Sequence, residues 1–389
     1  MEKVLILKSL SAGKTLIELI NAYIRKTATP KSEDWGAVFE FAKKHSLGSM
    51  FYLALKDGKE LDSVEGLREK ARHHYSTQTA QQVSQEFFAQ KVYDAFDKNA
   101  IKYAPIKGEK LRALYPAPML RTSCDVDVFY DGTKESTVKK IMSNLGFECS
   151  GKSVNHLKFQ DKVVTFEMHH ALNASSGKYD DYYKNVWARL IPENGCRFAF
   201  NKEDFYIYFM IHSAKHFTGG GFGVRTVLDV YFYKSKLKLD ENYLRTEFEK
   251  LGLYKFAKSI EKLSLTWFGD LNSDEDTVTL SNYILSGSTY GSDKNRAAMQ
   301  GVKGKRSTFG AKTAYLFKTL FPSYRSMKSL YPILKPLPFL LPFMWIYKWF
   351  HVLFARPQKF KHTARNVKSL DKNKLNQTVK IKEITGIED

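Results

Sequence analysis

Residues 121 to 129 read Arg-Thr-Ser-Cys-Asp-Val-Asp-Val-Phe, an apolar strand pattern that contains two acids. Successive side chains of a strand point to opposite faces of its sheet. Asp125 and Asp127 are therefore expected on one face, and the core on the other face should receive Cys124, Val126 and Val128. Two carboxylates that project together from a strand form half of a metal site.

A second strand pattern runs from residue 162 to residue 169. Val164, Phe166 and Met168 alternate with Thr165, Glu167 and His169, so Glu167 is expected on the polar face as a third carboxylate. Three neighbouring acids repel one another unless a cation offsets their charge, and hard oxygen ligands suit Mg²⁺ or Mn²⁺. This ligand set is typical of phosphoryl or nucleotidyl transfer, in which metal ions hold the attacking and leaving oxygens.

The segment upstream of the acids, residues 103 to 111, predicts a short apolar strand that breaks at Lys107-Gly108 and opens a helix ending near Tyr115-Pro116. A glycine at this turn lets backbone N–H groups approach an anionic phosphate. Lys107 and Arg121 would add positive charge. The expected order is strand, glycine turn, helix, Asp-x-Asp strand, helix and Glu strand.

These motifs together resemble the uncharacterised bacterial nucleotidyltransferase family of the DNA polymerase beta-like superfamily. The resemblance rests on Lys107-Gly108, Leu114-Tyr115-Pro116, Arg121-x-x-x-Asp125-Val126-Asp127-Val128 and Phe166-Glu167-Met168-His169. It extends from about Trp35 to Asp229 and includes His212-x-x-x-His216 and the run from Gly223 to Asp229. The wider superfamily usually has Gly-Ser where this chain has Lys107-Gly108, so its nucleotide handling is expected to differ.

The resemblance implies a metal-dependent enzyme that moves a nucleoside monophosphate from an NTP, such as ATP, to an acceptor that the sequence does not name. Asp125 and Asp127 would hold both Mg²⁺ or Mn²⁺ ions. Glu167 would hold the ion that activates the acceptor hydroxyl, or would act as its base. The triphosphate would be bound by Lys107, Gly108 and Arg121. His169 and His170 are weaker candidates on opposite faces of their strand.

Two features of the later helical part leave alternatives open. Arg225 is expected to approach the nucleotide across the glycine-rich turn at residues 219 to 223, or else to pair with Asp229 four residues on. His212 and His216 lie one helical turn apart and could bind zinc with Glu203 or Asp229 as a third ligand. We favour the alternative that they are hydrogen-bonded histidines lining the cleft.

The predicted fold class is α+β, with a small mixed sheet flanked by helical regions. The expected divisions are a helical N-terminal region at 1–100, a nucleotidyltransferase core at 101–200, a helical domain with a loop at 201–300, and a C-terminal tail at 301–389. The polar segment from Asn272 to Ser307 is interpreted as a mobile loop or linker. Three cysteines without a Cys-x-x-Cys spacing indicate neither a disulfide framework nor a zinc knuckle, and they favour a cytoplasmic protein.

The basic charge of the chain is concentrated at its end. The whole chain has a formal charge of +20, and residues 301–389 supply 18 − 4 = +14 of it. This tail also carries five prolines and clustered aromatics between Phe317 and Phe354, which suits a segment lying at an anionic membrane surface. Packing on the helical domain is the equal alternative, and nucleic acid is a less favoured partner. Residues 361–389 are expected to be polar and partly disordered.

Two functions from different classes are consistent with these patterns. One is a nucleotidyltransferase acting on a small molecule, a protein or a polysaccharide precursor, in the cytoplasm or peripheral to the membrane. The other is a non-catalytic nucleotide- or partner-binding module, of a regulatory or antitoxin-like kind, on the same fold. The three acids favour the enzyme, because a binding module has no need of a costly carboxylate cluster.

Overall fold

The computed structural model describes residues 2–172, 177–302, 308–355, 357–368 and 370–387. A five-stranded mixed sheet carries the Asp-x-Asp motif, and a two-stranded sheet lies beside it. The strands are β1 Tyr103–Pro105, β2 Val126–Tyr130, β3 Glu148–Lys152, β4 His156–Gln160, β5 Thr165–His169, β6 Leu190–Pro192 and β7 Phe198–Phe200.

Helices make up most of the rest of the described chain. The first nine are α1 Glu2–Arg25, α2 Trp35–Lys44, α3 Gly48–Leu55, α4 Leu67–Lys98, α5 Gly108–Arg112, α6 Glu135–Asn144, α7 Gly177–Tyr182, α8 Lys202–Thr218 and α9 Val224–Lys236. The others are α10 Glu241–Lys250, α11 Tyr254–Phe268, α12 Glu275–Leu285, α13 Asp293–Gly301, α14 Thr308–Leu320, α15 Tyr324–Leu330, α16 Leu341–Ala355, α17 Pro357–Lys368 and α18 Lys372–Thr385. None of these helices combines the length and the apolar character needed to cross a bilayer.

The main sheet has the order β1-β2-β5-β4-β3. The central strands β2 and β5 are parallel, and the other neighbours pair antiparallel. One face is apolar because alternate residues such as Val128, Phe166 and Met168 pack against α4 and α6. The opposite face is turned towards α8 and α9. The α+β expectation, with helices before and after a small mixed sheet, is confirmed.

A larger apolar core extends beyond the sheet, which contributes Ala104 and Phe129 to it. It joins α1, α2 and α3 to α8, α9, α11 and α12, and the C-terminal residues Ile381, Ile384 and Ile387 belong to it. Side chains from the predicted N-terminal region, core and helical domain thus share one cluster of buried residues. The division of the chain at residues 100, 200 and 300 stays a prediction.

Three sequence expectations are wrong. The segment 272–307 is not simply a linker, because α12 and α13 occupy most of its described part; residues 303–307 lie outside that part. Residues 361–389 are not a disordered end, because α17 and α18 cover most of their described positions. Cys124 does not enter the core but is exposed, because β2 begins only at Val126.

Candidate functional site

The pairing of β2 with β5 brings two of the three acids together. Asp127 and Glu167 are register partners on these adjacent parallel strands. Asp125 immediately precedes β2, and all three carboxylates line one cavity of about 730 Å³. The cavity lies between the polar face of the sheet and the helices α8 and α9. Alternation accounts for the shared face of Asp127 and Glu167, whereas Asp125 reaches the same cavity from just before the strand.

Asp127 is buried and has two cationic or potentially cationic neighbours. Its Oδ1 accepts from Lys107 Nζ at 2.6 Å and lies 2.9 Å from His169 Nε2. Burial opposes ionisation, but Lys107 and His169 outweigh it and hold the pKa of Asp127 well below its usual range. Burial likewise opposes the charge on Lys107, yet the Asp127 carboxylate raises the pKa of Lys107 above its usual value. This pair is ionised at neutral pH.

Asp125 is in a different electrostatic position. It is half-buried, and burial together with the negative charge of Asp127 raises the pKa of Asp125 to about 6. Lys107 and Arg225 act in the opposite direction but do not cancel these effects. A carboxylate that is partly desolvated beside another carboxylate is stabilised by any added positive charge. Asp125 is thus the acid of this cavity that gains most from a bound cation.

Glu167 is flanked by two histidines. His169 Nε2 lies 3.5 Å and His156 Nε2 lies 3.7 Å from its carboxylate oxygens. The contact with His169 lowers the pKa of Glu167, whereas burial lowers the pKa of His156. One ligand atom from each of His156, Glu167 and His169 falls within 4.8 Å of the others, a grouping that could hold a metal ion. His170 points elsewhere, with its Nε2 3.0 Å from Val154 O.

The turn at Lys107-Gly108 connects β1 to α5. Lys107 has a φ of +57°, a left-handed conformation that is uncommon for a residue with a side chain, and it aims its amine at Asp127. Gly108 begins α5 and lines the cavity. The predicted helix was too long, because α5 ends at Arg112 rather than near Tyr115-Pro116. A strained backbone at this point is typical of a functional site.

Arg121 is engaged by a buried ion pair with α9. Its Nε and Nη2 donate to the two carboxylate oxygens of Asp229 at 2.8 and 3.0 Å, and Tyr115 Oη donates to the same carboxylate at 2.7 Å. Two of the three guanidinium nitrogens are therefore used within the protein. The proposed pairing of Arg225 with Asp229 is wrong, because Asp229 forms its bidentate ion pair with Arg121 instead.

Arg225 instead bends towards the start of β2. Its Nη1 donates to Thr122 O at 2.6 Å. Its Nε is buried and has no hydrogen-bond partner among the described residues, although the side chain lines the cavity. A buried donor without a partner is costly, and a ligand that accepts from it would remove that cost. Arg225 therefore remains a candidate for contact with a nucleotide.

His212 and His216 form a hydrogen-bonded pair on α8, with 2.8 Å between their Nε2 atoms. Burial and the nearby Lys107 charge lower the pKa of both, to about 4 for His216, so the pair is neutral at pH 7. The suggested third zinc ligands have other partners: Asp229 binds Arg121, and Glu203 accepts from the Asp240 N–H at 3.0 Å. The histidines line the cavity, as the favoured interpretation predicted.

The cavity also contains residues that the sequence did not indicate, namely His156, Lys215 and Tyr290. His156 had a detectable signal. A hairpin joining β4 to β5 pairs His156 with His169, and counting back from its turn would have found this partner. Lys215 had one as well, because it lies three residues after His212 on α8 and shares the face that was expected to line the cleft. Tyr290 had none, because it comes from a loop whose orientation depends on tertiary packing.

One of the comparisons with known proteins gave a match. A family model described as "Uncharacterised nucleotidyltransferase" matches residues 31–269, which is 269 − 31 + 1 = 239 of the 389 residues. The matched region includes the sheet, its three acids and α9. Comparisons with curated proteins and with solved structures gave no match.

Proposed function

Because the chain belongs to the uncharacterised nucleotidyltransferase family, we propose that it transfers the NMP group of an NTP to an acceptor hydroxyl in a reaction that needs a divalent cation. The register pairing of Asp127 with Glu167 carries this proposal. It sets two acids side by side on neighbouring strands, with Asp125 at the same cavity. Nucleotidyl transfer is the chemistry that such a group of carboxylates serves best.

The donor set fits a hard divalent cation. Asp125, Asp127 and Glu167 supply carboxylate oxygens, which Mg²⁺ and Mn²⁺ prefer. Burial and the Asp127 charge raise the pKa of Asp125 to about 6, so a bound cation would stabilise its ionised form. The neighbouring His156 and His169 add nitrogen ligands, which favour Mn²⁺ over Mg²⁺. When bound, the cation would neutralise phosphate charge and polarise the reacting oxygens.

Three cationic side chains of the cavity suit a triphosphate. Lys107 sits on the strained turn before Gly108, Arg225 has a buried Nε without a described partner, and Lys215 faces the cavity from α8. Burial and the charge of Lys107 lower the pKa of Lys215, so an incoming anion would stabilise its protonated form. Arg121 would act mainly by fixing α9 through Asp229, with its remaining nitrogen near Gly108.

The reaction can be written with the residues of this chain. The oxygen of the acceptor hydroxyl forms a bond to the α-phosphorus, and the bond from that phosphorus to the bridging oxygen of the pyrophosphate breaks. Glu167 takes the hydroxyl proton, because it lies beside Asp127 on the neighbouring strand and is ionised at neutral pH. Lys107, Lys215 and Arg225 hold the phosphates in line and stabilise the charge on the departing pyrophosphate.

A label-transfer assay tests the proposal. The full chain is incubated with Mg²⁺ or Mn²⁺ and each α-labelled NTP in turn, with and without cell extract. We expect label on the protein or on an extract component. Asp127→Asn and Glu167→Gln should reduce it by roughly 100-fold or more, since each removes a charge at the reacting centre.

Glu148→Gln is the matched control, because Glu148 is an exposed acid on β3 of the same sheet. It should transfer label like the parent. If no NTP binds or reacts, and Asp127→Asn behaves like the parent, catalysis is excluded. The non-catalytic binding module on the same fold would then be the better account.

A further inference from the structure

Exposed apolar side chains are concentrated in one short part of the molecule. Of the 24 exposed large hydrophobic residues in the described chain, 13 lie between Leu316 and Phe354. This segment is 39 residues long, about a tenth of the sequence. Scattered exposed hydrophobic residues need no explanation, but a concentrated group marks an interaction surface.

The exposed residues of α16 form a stripe along one side of the helix. Their spacing of three and four residues places them on a single face, which we call the apolar stripe: Phe343, Ile346, Tyr347, Phe350, Leu353 and Phe354. Phe343, Phe350 and Phe354 expose 66%, 57% and 75% of their surface. An apolar face this exposed is costly in water unless something covers it.

The other side of α16 is fixed to the end of α14 by polar contacts. The indole N–H groups of Trp345 and Trp349 donate to Pro322 O and Leu320 O at 3.0 and 2.7 Å, and Lys348 Nζ donates to Thr319 O at 2.7 Å. The ring of Phe321 packs against both tryptophans. These contacts hold the helix with its apolar stripe facing outwards.

The sequence that carries the stripe has formal charge of one sign. Residues 301–370 contain 14 Lys and Arg and no Asp or Glu. Two copies of such a surface would repel each other, which argues against a second copy of this chain as the covering partner. An anionic surface with an apolar interior would satisfy both the charge and the stripe. Nucleic acid would satisfy the charge alone.

We infer that α14 to α16 form a monotopic membrane-binding face, in which the apolar stripe enters an anionic bilayer and the basic side chains meet its headgroups. This adds an interaction surface to the nucleotidyltransferase without changing its chemistry. Ser323 and Ser326, at the start of α15, also line the catalytic cavity. The bound bilayer would therefore lie close to the cavity.

Vesicle sedimentation with the full chain tests the inference. The vesicles are phosphatidylcholine alone, or phosphatidylcholine with about one third phosphatidylglycerol. The parent should bind the anionic vesicles at least about 10-fold more tightly than the neutral ones, and added salt should weaken binding. Replacing Phe343, Phe350 and Phe354 together with Ser should lower the affinity by about 10-fold or more, because the apolar insertion is lost.

The control variant replaces three exposed hydrophobic residues elsewhere, Val83, Phe87 and Val163, with Ser. It should bind like the parent, and both triple variants should keep the parent's circular dichroism spectrum. The inference is overturned if the parent stays in the supernatant with anionic vesicles, or if the stripe variant binds as the parent does. It is also overturned if the stripe instead mediates a dimer or RNA binding without vesicle binding. Because sedimentation needs no NTP or metal, its outcome is independent of nucleotidyl transfer.

Discussion

At the scale of single residues, the Arg121–Asp229 pair links the acid strand to the helical part of the protein. Arg121 precedes β2 and Asp229 lies on α9, which also carries Arg225. Both charged groups are buried, and Tyr115 completes the hydrogen bonds of the carboxylate. This network positions Arg225 relative to the acids.

Asp229→Asn should destabilise the protein by about 3–5 kcal/mol, because it leaves the buried Arg121 charge without its counter-ion. Tyr115→Phe removes only one hydrogen bond to the same carboxylate and should cost about 1 kcal/mol. The measurement is the urea midpoint of each variant at neutral pH. Equal losses in the two variants would show that Asp229 is not the electrostatic partner on which Arg121 depends.

His45 makes a second residue-scale prediction. It is fully buried, stacks on Phe41 and accepts the Val224 N–H at its Nδ1 at 3.1 Å. Burial, aided by Lys44, lowers the pKa of His45 to about 3. In the unfolded chain, His45 is protonated as the pH falls below about 6.5, whereas in the folded chain it stays neutral. The free energy of unfolding therefore decreases as the pH drops below about 6.5. This group should cost about 2 kcal/mol between pH 7 and pH 5.

The pH dependence of unfolding in His45→Gln checks this value. Glutamine can accept the same backbone N–H but does not titrate, so the loss of stability between pH 7 and pH 5 should shrink by about 2 kcal/mol. His73→Gln, at an exposed position, should keep the parent's slope. A parent-like slope in His45→Gln would contradict the assignment.

What the sequence could predict at this scale depends on the range of the interaction. Alternation along β5 placed Glu167 and His169 on the polar face, because neighbours in a strand obey a local rule. The partner of Asp229 was misjudged, because the rule for helices favours Arg225, four residues away, and Arg121 is 108 residues away. A buried bidentate contact outweighs an exposed helical pair.

At the scale of elements, two glycine loops meet at the edge of the cavity. The loop between α8 and α9 contains Gly220, and the loop between α12 and α13 contains Gly291, with a φ of +73°. A Cβ on Gly291 would come within 2.0 Å of Gly220 O. The Ser292 N–H donates to the same Gly220 O at 2.9 Å. The backbones touch here because neither residue has a side chain.

Gly291→Ala should destabilise the fold by more than about 2 kcal/mol, because it combines a disfavoured φ with a backbone clash. It should also weaken NTP binding, since the adjacent Tyr290 lines the cavity. The comparison is Gly146→Ala, where φ is +87° and nothing lies within 4 Å of the added Cβ. That variant should lose only about 1 kcal/mol in thermal unfolding. If Gly291→Ala costs no more, the loops do not need their close approach.

The same region shows why the segment 272–307 was misjudged. Its Ser and Gly residues at 286–292 form a true loop, but the residues before it form α12. Leu280, Tyr283 and Ile284 of α12 are buried with the spacing of a helical stripe. Asp274 caps α12 together with Thr277, and an N-cap Asp followed by Glu275 and Asp276 was a readable helix start. The polar average composition of residues 272–307 concealed the helical pattern of α12.

At the scale of the whole molecule, the C-terminal end is part of the fold. Helix α18 packs on α11 and α12, and Ile381 is completely buried. Ile381→Ala should therefore destabilise the protein by about 2–5 kcal/mol, which a thermal melt of the full chain would show. Glu383→Gln, at an exposed position of the same helix, should change stability by less than about 0.5 kcal/mol. A melt of Ile381→Ala like that of the parent would contradict the packing of α18 and favour the expectation of a partly disordered end.

The sequence suggested a tail because residues after 360 are mostly polar and basic. Polarity alone could not show that Ile381, Ile384 and Ile387 complete the core of α11 and α12, which lies about 120 residues earlier in the chain. Sequence patterns predicted the sheet well, since its strands and turns lie close together in the chain. Sequence patterns did not predict the packing of helices that lie far apart in the chain.

The return of α18 to the core has a consequence for the C-terminal helices. The segment from α14 to α17 is tied to the fold at both ends, by α13 before it and by α18 after it. It is therefore anchored at both ends, unlike an arm that is attached at one end only. If it rests on a bilayer, the three acids are held at a fixed height above the headgroups. If the chain also transfers nucleotidyl groups as proposed, it would select acceptors by the distance of their hydroxyl from the membrane. Lengthening or shortening an acceptor's spacer would then change the rate even when the hydroxyl itself is the same.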